Sequence, residues 1–176
     1  MRIVRVSTKK QWHAFIDFPY SLYKDCPNWI PQLKLSERSR FSEKKNPYFD
    51  VCETAFWLCV NDNDEVVGRV MGIFHRDKDT FEKRIARFGF IEFIDDLMVS
   101  SMLLEAVMFW AKELGMNALH GPLGFSDLDP QGILVEGFDQ LGNVATLYHY
   151  PYYKDHFEHL KFQTECDWVE FKFSLE

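Results

Sequence analysis

Hydrophobic and polar positions change period several times along the chain, and each change marks an element. Arg2 to Val6 alternates as a short strand. Thr8-x-x-Gln11 then fits a capping box ahead of Trp12, Phe15 and Ile16 at helical spacing, and Pro19 predicts the end of that helix. The aromatic, proline-rich run Tyr20 to Leu33 has no period and reads as an ordered loop, followed by a short polar helix within Ser36 to Lys45. Thr54 to Val60 and Glu65 to His75 flank the turn Asn61 to Asp64 as a hairpin, and Arg87 to Ile94 follows a charged connection as a further strand. From Leu97 to Leu114 the apolar residues Val99, Met102, Leu103, Ala106, Val107 and Trp110 share one helical face, and Gly115 stands where a C′ glycine would. Met116 to Leu123 reads as a strand, Tyr152 to Phe162 as a helix, and Cys166 to Phe173 alternates as a last strand. These elements predict an α/β domain: a mixed sheet of about six to seven strands covered by helices, since each amphipathic face needs a partner layer.

The connection Gly121 to Asp139 is several times longer than connections in compact domains usually are, and loops of that length are as a rule either functional or disordered. Its composition predicts an ordered loop. Gly121-Pro122 ends the strand, Ser126, Asp127 and Asp129 cap turns, and Asp129-Pro130-Gln131-Gly132 suits a type I turn.

Composition narrows the class. With 176 residues, 47% apolar and 17 Phe, the chain reads as one domain over 1–176 with a large core. A net charge of −7 with scattered basic residues argues against nucleic acid. Cys26, Cys52, Cys59 and Cys166 lack metal or disulfide spacing and read as reduced thiols, so no metal is expected. The start of the chain lacks a signal-like apolar region, and the longest apolar run is shorter than a membrane span, so a soluble cytoplasmic protein without a membrane partner is expected.

The element order and several segments carry a family resemblance. "CPNWIPQL", "KNPYFDVCETAFWLCVND", "VVGRVMGIFH", "RFGFIEFIDD", "GPLGFSDLDPQGILVEGFD" and "YHYPYYKDHFEHLKF" resemble, in order, a group of bacterial proteins in the GNAT superfamily of acyl-CoA-dependent N-acyltransferases. The resemblance runs from about Asp25 onward. It implies a GNAT-like fold with a splay between the fourth and fifth strands, acetyl-CoA or another acyl-CoA as donor, and a small-molecule amine as acceptor. It also implies a diphosphate-binding motif, Q/R-x-x-G-x-G/A, before the long helix, where glycines admit backbone N–H groups to the anion. Aligned on Leu103 and Leu104, the motif falls on Asp95, Met98 and Ser100, and none matches. Cofactor contacts by this likeness fall at Ile94, Asp95 and Ser100. Two adjacent carboxylates, Asp95 and Asp96, oppose a diphosphate there, and either would instead cap the helix well.

By the same likeness the acyl group and the amine meet in the splay. Glu92, alone in an apolar strand, is a candidate general base if it points inward; His120 is another, and Tyr153 or Tyr152 a candidate general acid. The plainer alternatives are a solvent-facing Glu92, a packing His120, and a tyrosine pair anchoring a helix. Tyr20, Tyr23, Trp29 and Tyr48 would line an acceptor pocket or the core. Ligand contacts are expected around Gly121 to Gly132, at Gly121, Ser126, Asp127 and Asp129, together with Trp29. A GNAT-fold module that binds without catalysis stands as the alternative.

Overall fold

The computed structural model describes residues 1–77, 82–143, 146–171, 173 and 174. Among them, strands β1 (Arg2–Arg5), β2 (Cys52–Val60), β3 (Val66–His75), β4 (Ile85–Phe93) and β5 (Ala118–His120) form one sheet in chain order. Pairing is antiparallel up to β4 and parallel between β4 and β5. The helices are α1 (Lys9–Leu22), α2 (Lys34–Arg40), α3 (Tyr48–Val51), α4 (Leu97–Glu113) and α5 (Tyr152–His159).

Both faces of the sheet are apolar, because β2 and β3 carry apolar residues in both phases of the alternation. Ala55, Trp57, Cys59, Val70 and Phe74 face α4 and α5, while Phe56, Leu58, Met71 and Ile73 face Phe15 and Ile16 of α1. That two-sided pattern is the mark of a sheet buried between helical layers.

Local chemistry explains the boundaries. Thr8 and Gln11 close the expected capping box. Asn61 Oδ1 accepts the N–H groups of Asn63 and Glu65, fixing the hairpin turn. Helix α4 ends in a Schellman motif: Gly115 takes φ 83°, its N–H reaches Lys112 O, and Met116 N–H reaches Ala111 O. Helix α5 stops at His159, short of Phe162, and closes in the same way with Lys161 in the left-handed position at φ 65°. This conformation costs a non-glycine residue about 1–2 kcal/mol. Phe162, packed on Phe157 and Phe88, offsets it.

Two expectations are corrected. Pro19 does not end α1; the helix runs through it to Leu22. The sheet has five described strands, not six or seven, because Cys166–Phe171 pairs with no strand and Trp168, Val169, Phe171 and Phe173 are exposed; Lys172 lies outside the described residues. Alternation supplies a face but not a partner edge, and the free edge of β5 is only three residues long. Among the described residues no helix is long and apolar enough to cross a membrane.

Candidate functional site

The expected splay is present. β4 pairs with β5 only over Ile85–Arg87, and one further bond joins Leu123 N–H to Phe88 O. Beyond it the edge of β4 is completed by two tyrosines from the start of α5. Phe93 N–H donates to Tyr153 Oη at 3.0 Å, and Tyr152 Oη donates to Phe93 O at 2.6 Å. Tyr23, which follows α1, donates to Tyr153 Oη at 3.1 Å. Tyr153 is fully buried and stacked on Phe93, and burial, reinforced by the charge of Glu92, holds its hydroxyl well above the ordinary phenol range. An amide N–H can only donate, so Tyr153 uses its lone pairs on Phe93 and Tyr23 and keeps its own proton available.

Beside these tyrosines lies a buried ionic cluster. Arg69 and Glu92 face each other across β3 and β4, and the guanidinium grips the carboxylate with Nε on Oε2 and with Nη2 on Oε1 at 3.1 Å. Their side chains are 3% and 7% exposed. Arg69 Nη1 donates to Phe15 O at 2.7 Å. That carbonyl is free because Pro19, four residues on, has no N–H to give it, so the proline inside α1 opens an acceptor for the arginine. Arg40 pairs with Glu37 on α2 and, through Nε at 3.1 Å, with Asp129 of the long loop. Opposite Val70, β4 bulges at Phe90, whose φ of 48° is rare for an aromatic residue. Glu37, Arg40, Arg69, Phe90 and Glu92, with Tyr20, Tyr23, Trp29, Pro130 and Tyr148, wall a narrow slot of about 30 Å³, enough for about one water molecule.

The long loop is ordered, and its glycines are steric. A Cβ on Gly89 would come within 2.1 Å of Leu123 O, and one on Gly124 within 2.2 Å of the Asp129 Cβ. Backbone thus packs directly on β4, and Asp129 is drawn under the loop, where its Oδ2 accepts the N–H groups of Phe125 and Ser126. The turn lies three residues earlier than the sequence suggests: Asp129 N–H reaches Ser126 O, whereas Gly132 N–H bonds to Pro122 O. Asp129 is held by those two amides, which fixes this register. Asp127 is exposed on the turn, and Gly121 lies against Phe88 O.

His149, 4% exposed, accepts Leu134 N–H on Nδ1 at 3.3 Å. Burial pushes it from 6.5 down to about 4. Between those values the unfolded chain binds a proton that the folded chain excludes, so stability falls as pH drops through this window, by up to about 1.4 kcal/mol per unit. Urea unfolding of His149→Asn should show a shallower loss between pH 7 and pH 4 than wild type, and parallel profiles would refute this.

The sequence-derived residues therefore divide. Glu92 and Trp29 line the slot, while Tyr153 and Asp129 stand behind it, bonded to the lining residues Tyr23 and Arg40. His120 does not join them; half-exposed at the end of β5, it pairs with Glu165. At the start of α4, Asp96 is the N-cap and accepts Met98 N–H at 2.8 Å. Asp95 meets His156 Nε2 at 3.0 Å, and His156 Nδ1 meets the fully buried Ser100 hydroxyl at 2.9 Å. Ile94 donates its N–H to Val67 O. These groups are occupied within the fold, and with two carboxylates they do not fit a diphosphate as they stand. Tyr48 packs on Phe125, away from the slot. Arg69, Glu37, Arg40 and His149 escaped the sequence reading, although Arg69 interrupts the apolar run of β3 just as Glu92 interrupts β4.

A second, open cleft of about 450 Å³ lies at the other end of β2 and β3, lined by Arg5, Asp50, Cys52, Glu53 and Arg76. Cys52 Sγ is 3.4 Å from His75 Nδ1, but burial pushes the thiol up to about 11 and the imidazole down, so the pair is neutral. Such a thiol is a poor nucleophile. Among the described residues no His, Cys, Asp and Glu group is placed to hold a metal ion.

A mixed sheet parted between β4 and β5, with α4 packed after β4, is the GNAT fold. A Pyrococcus furiosus protein provisionally assigned as an acetyl transferase superposes with a TM-score of 0.55 over 98% of this chain and all of its own, at 17% identity. Protein YghO of Escherichia coli is 34% identical over 162 residues, covering 90% of this chain and 40% of that protein. The bacterial ceramide synthase of Caulobacter vibrioides is 30% identical over 141 residues, covering 79% of this chain and 36% of the synthase. The chain thus spans less than half the length of both curated relatives. No protein-family model matches it.

Proposed function

We propose that this chain is an N-acyltransferase that moves an acyl group from an acyl-CoA thioester to an amine. The observation that carries the reading is Tyr153: a neutral phenol with an available proton, fixed at the edge of β4 inside the splay and next to a charged, aromatic slot. In this reading the neutral amine attacks the thioester carbonyl, the C–N bond forms, the C–S bond breaks, Tyr153 donates its proton to the departing thiolate, and the proton released from the amine nitrogen restores the phenol. Glu92, with both oxygens held by Arg69, shapes the slot and sets its charge; taking the amine's proton would require it to leave that pair. His120 stands outside the network. The substrate class follows from the Caulobacter relative's name, since a ceramide is the amide of a fatty acid and a long-chain amino alcohol. A long-chain amine is accordingly the acceptor proposed.

A second reading, a GNAT-fold module that binds without catalysis, is favoured by the start of α4, where Asp95, Asp96 and His156 stand in place of a glycine-rich anion site. A melting experiment with CoA and acetyl-CoA separates the two. Under the enzyme reading, ligand at a hundredfold excess over Kd adds about 2.7 kcal/mol, raising Tm by roughly 5–10 °C. An unchanged Tm with both compounds would leave the binding module as the better account.

A further inference from the structure

We propose that Glu37 is the ammonium-binding carboxylate of the slot and selects a protonated amine over a neutral analogue. The proposal rests on the acyltransferase reading for its biological sense, but its physical basis is separate. Three carboxylates, Glu37, Glu92 and Asp129, meet two guanidiniums, Arg40 and Arg69, in one cluster. Exposure of the five side chains runs from 3% to 22%, so solvent does little to compensate the odd negative charge. A buried charge without a partner is costly, and a cluster of this composition has room for one more cation.

The odd charge can be placed on one residue. Glu92 has a guanidinium on both oxygens, and Asp129 has Arg40 on one oxygen and two backbone N–H groups on the other. Glu37, 4% exposed, gives Oε1 to Arg40, while Oε2 takes no hydrogen bond among the described residues. Burial, the largest influence on it, raises the Glu37 carboxyl above the ordinary range despite Arg69 and Arg40, as expected of an undercompensated carboxylate.

The walls suit the same ligand. Tyr20, Tyr23 and Trp29 form an aromatic face, with Trp29 edge-on to Tyr20 at 5.5 Å and stacked on Tyr23 at 5.2 Å. Aromatic faces attract cations and tolerate an alkyl chain. The slot as it stands takes only a head group. An attached chain would leave between Trp29, Pro130 and Tyr148, which lie on irregular segments.

The test uses the full chain and two probes of one length, n-octylamine, protonated at pH 7.5, and 1-octanol, with binding followed by tryptophan fluorescence. Wild type should bind the amine at least tenfold more tightly than the alcohol, and Glu37→Gln should bind both about equally while keeping its far-ultraviolet spectrum. Glu113→Gln, exposed in the last turn of α4, should behave as wild type. Equal affinity of wild type for the two probes, or no amine binding, overturns the proposal without any variant. So does an intact amine preference in Glu37→Gln. Amine selectivity without any response to CoA would instead overturn the acyltransferase reading and leave the Glu37 assignment standing.

Discussion

Arg69→Met is expected to remove about 3–5 kcal/mol of folding stability, the usual cost of stripping one partner from a buried ion pair. Both side chains are nearly inaccessible, so Glu92 would keep its charge without compensation. A second loss adds to it. Phe15 O would also lose its donor, and Pro19 cannot replace it. The double variant Arg69→Met, Glu92→Met should recover most of the deficit, because a matched apolar pair replaces a matched ionic one. Urea unfolding of wild type and the three variants measures this. A single variant within 1 kcal/mol of wild type would show that water reaches the pair.

Tyr153→Phe is expected to lower kcat by a factor of about 10²–10⁴, the range for loss of a positioned general acid. The same change strands the N–H of Phe93 and should cost roughly 1–3 kcal/mol of stability. The rate must therefore be read on protein shown to be folded. Tyr23→Phe supplies the control: it removes one donor to the Tyr153 oxygen but leaves the Phe93 bond and the reactive proton. A modest fall in Tyr23→Phe beside a large one in Tyr153→Phe is the expected pattern. A wild-type rate in folded Tyr153→Phe would take the acid role away from this residue.

Elements written in local signals were legible in the sequence. Helix α4 announced itself through periodicity, and its end through a glycine that only a left-handed cap explains. The capping box at Thr8, the hairpin at Asn61 and the ordered character of the long loop were equally local. Pro19 shows where such reasoning stops. A proline in a helical run is read as a stop, yet here the bond it deletes at Phe15 O is replaced by Arg69, which lies 54 residues beyond Phe15. The last alternating run failed for a related reason, since a strand requires an edge that alternation cannot supply. At the site, Glu92 and Tyr153 were visible as odd residues in patterned segments. Glu37 was hidden on a short polar helix where a glutamate is ordinary, and only its burial against Arg40 and the loop gives it meaning. The start of α4 was read correctly in one respect, because an aspartate there caps the helix.

The most direct measurement is a product assay: wild-type protein incubated with an acyl-CoA and a long-chain amino alcohol, with the mixture resolved by mass spectrometry. The account predicts an N-acyl amide, formed in step with free CoA and strongly reduced in Tyr153→Phe. CoA release without amide, or no amide when both substrates are saturating, would contradict it.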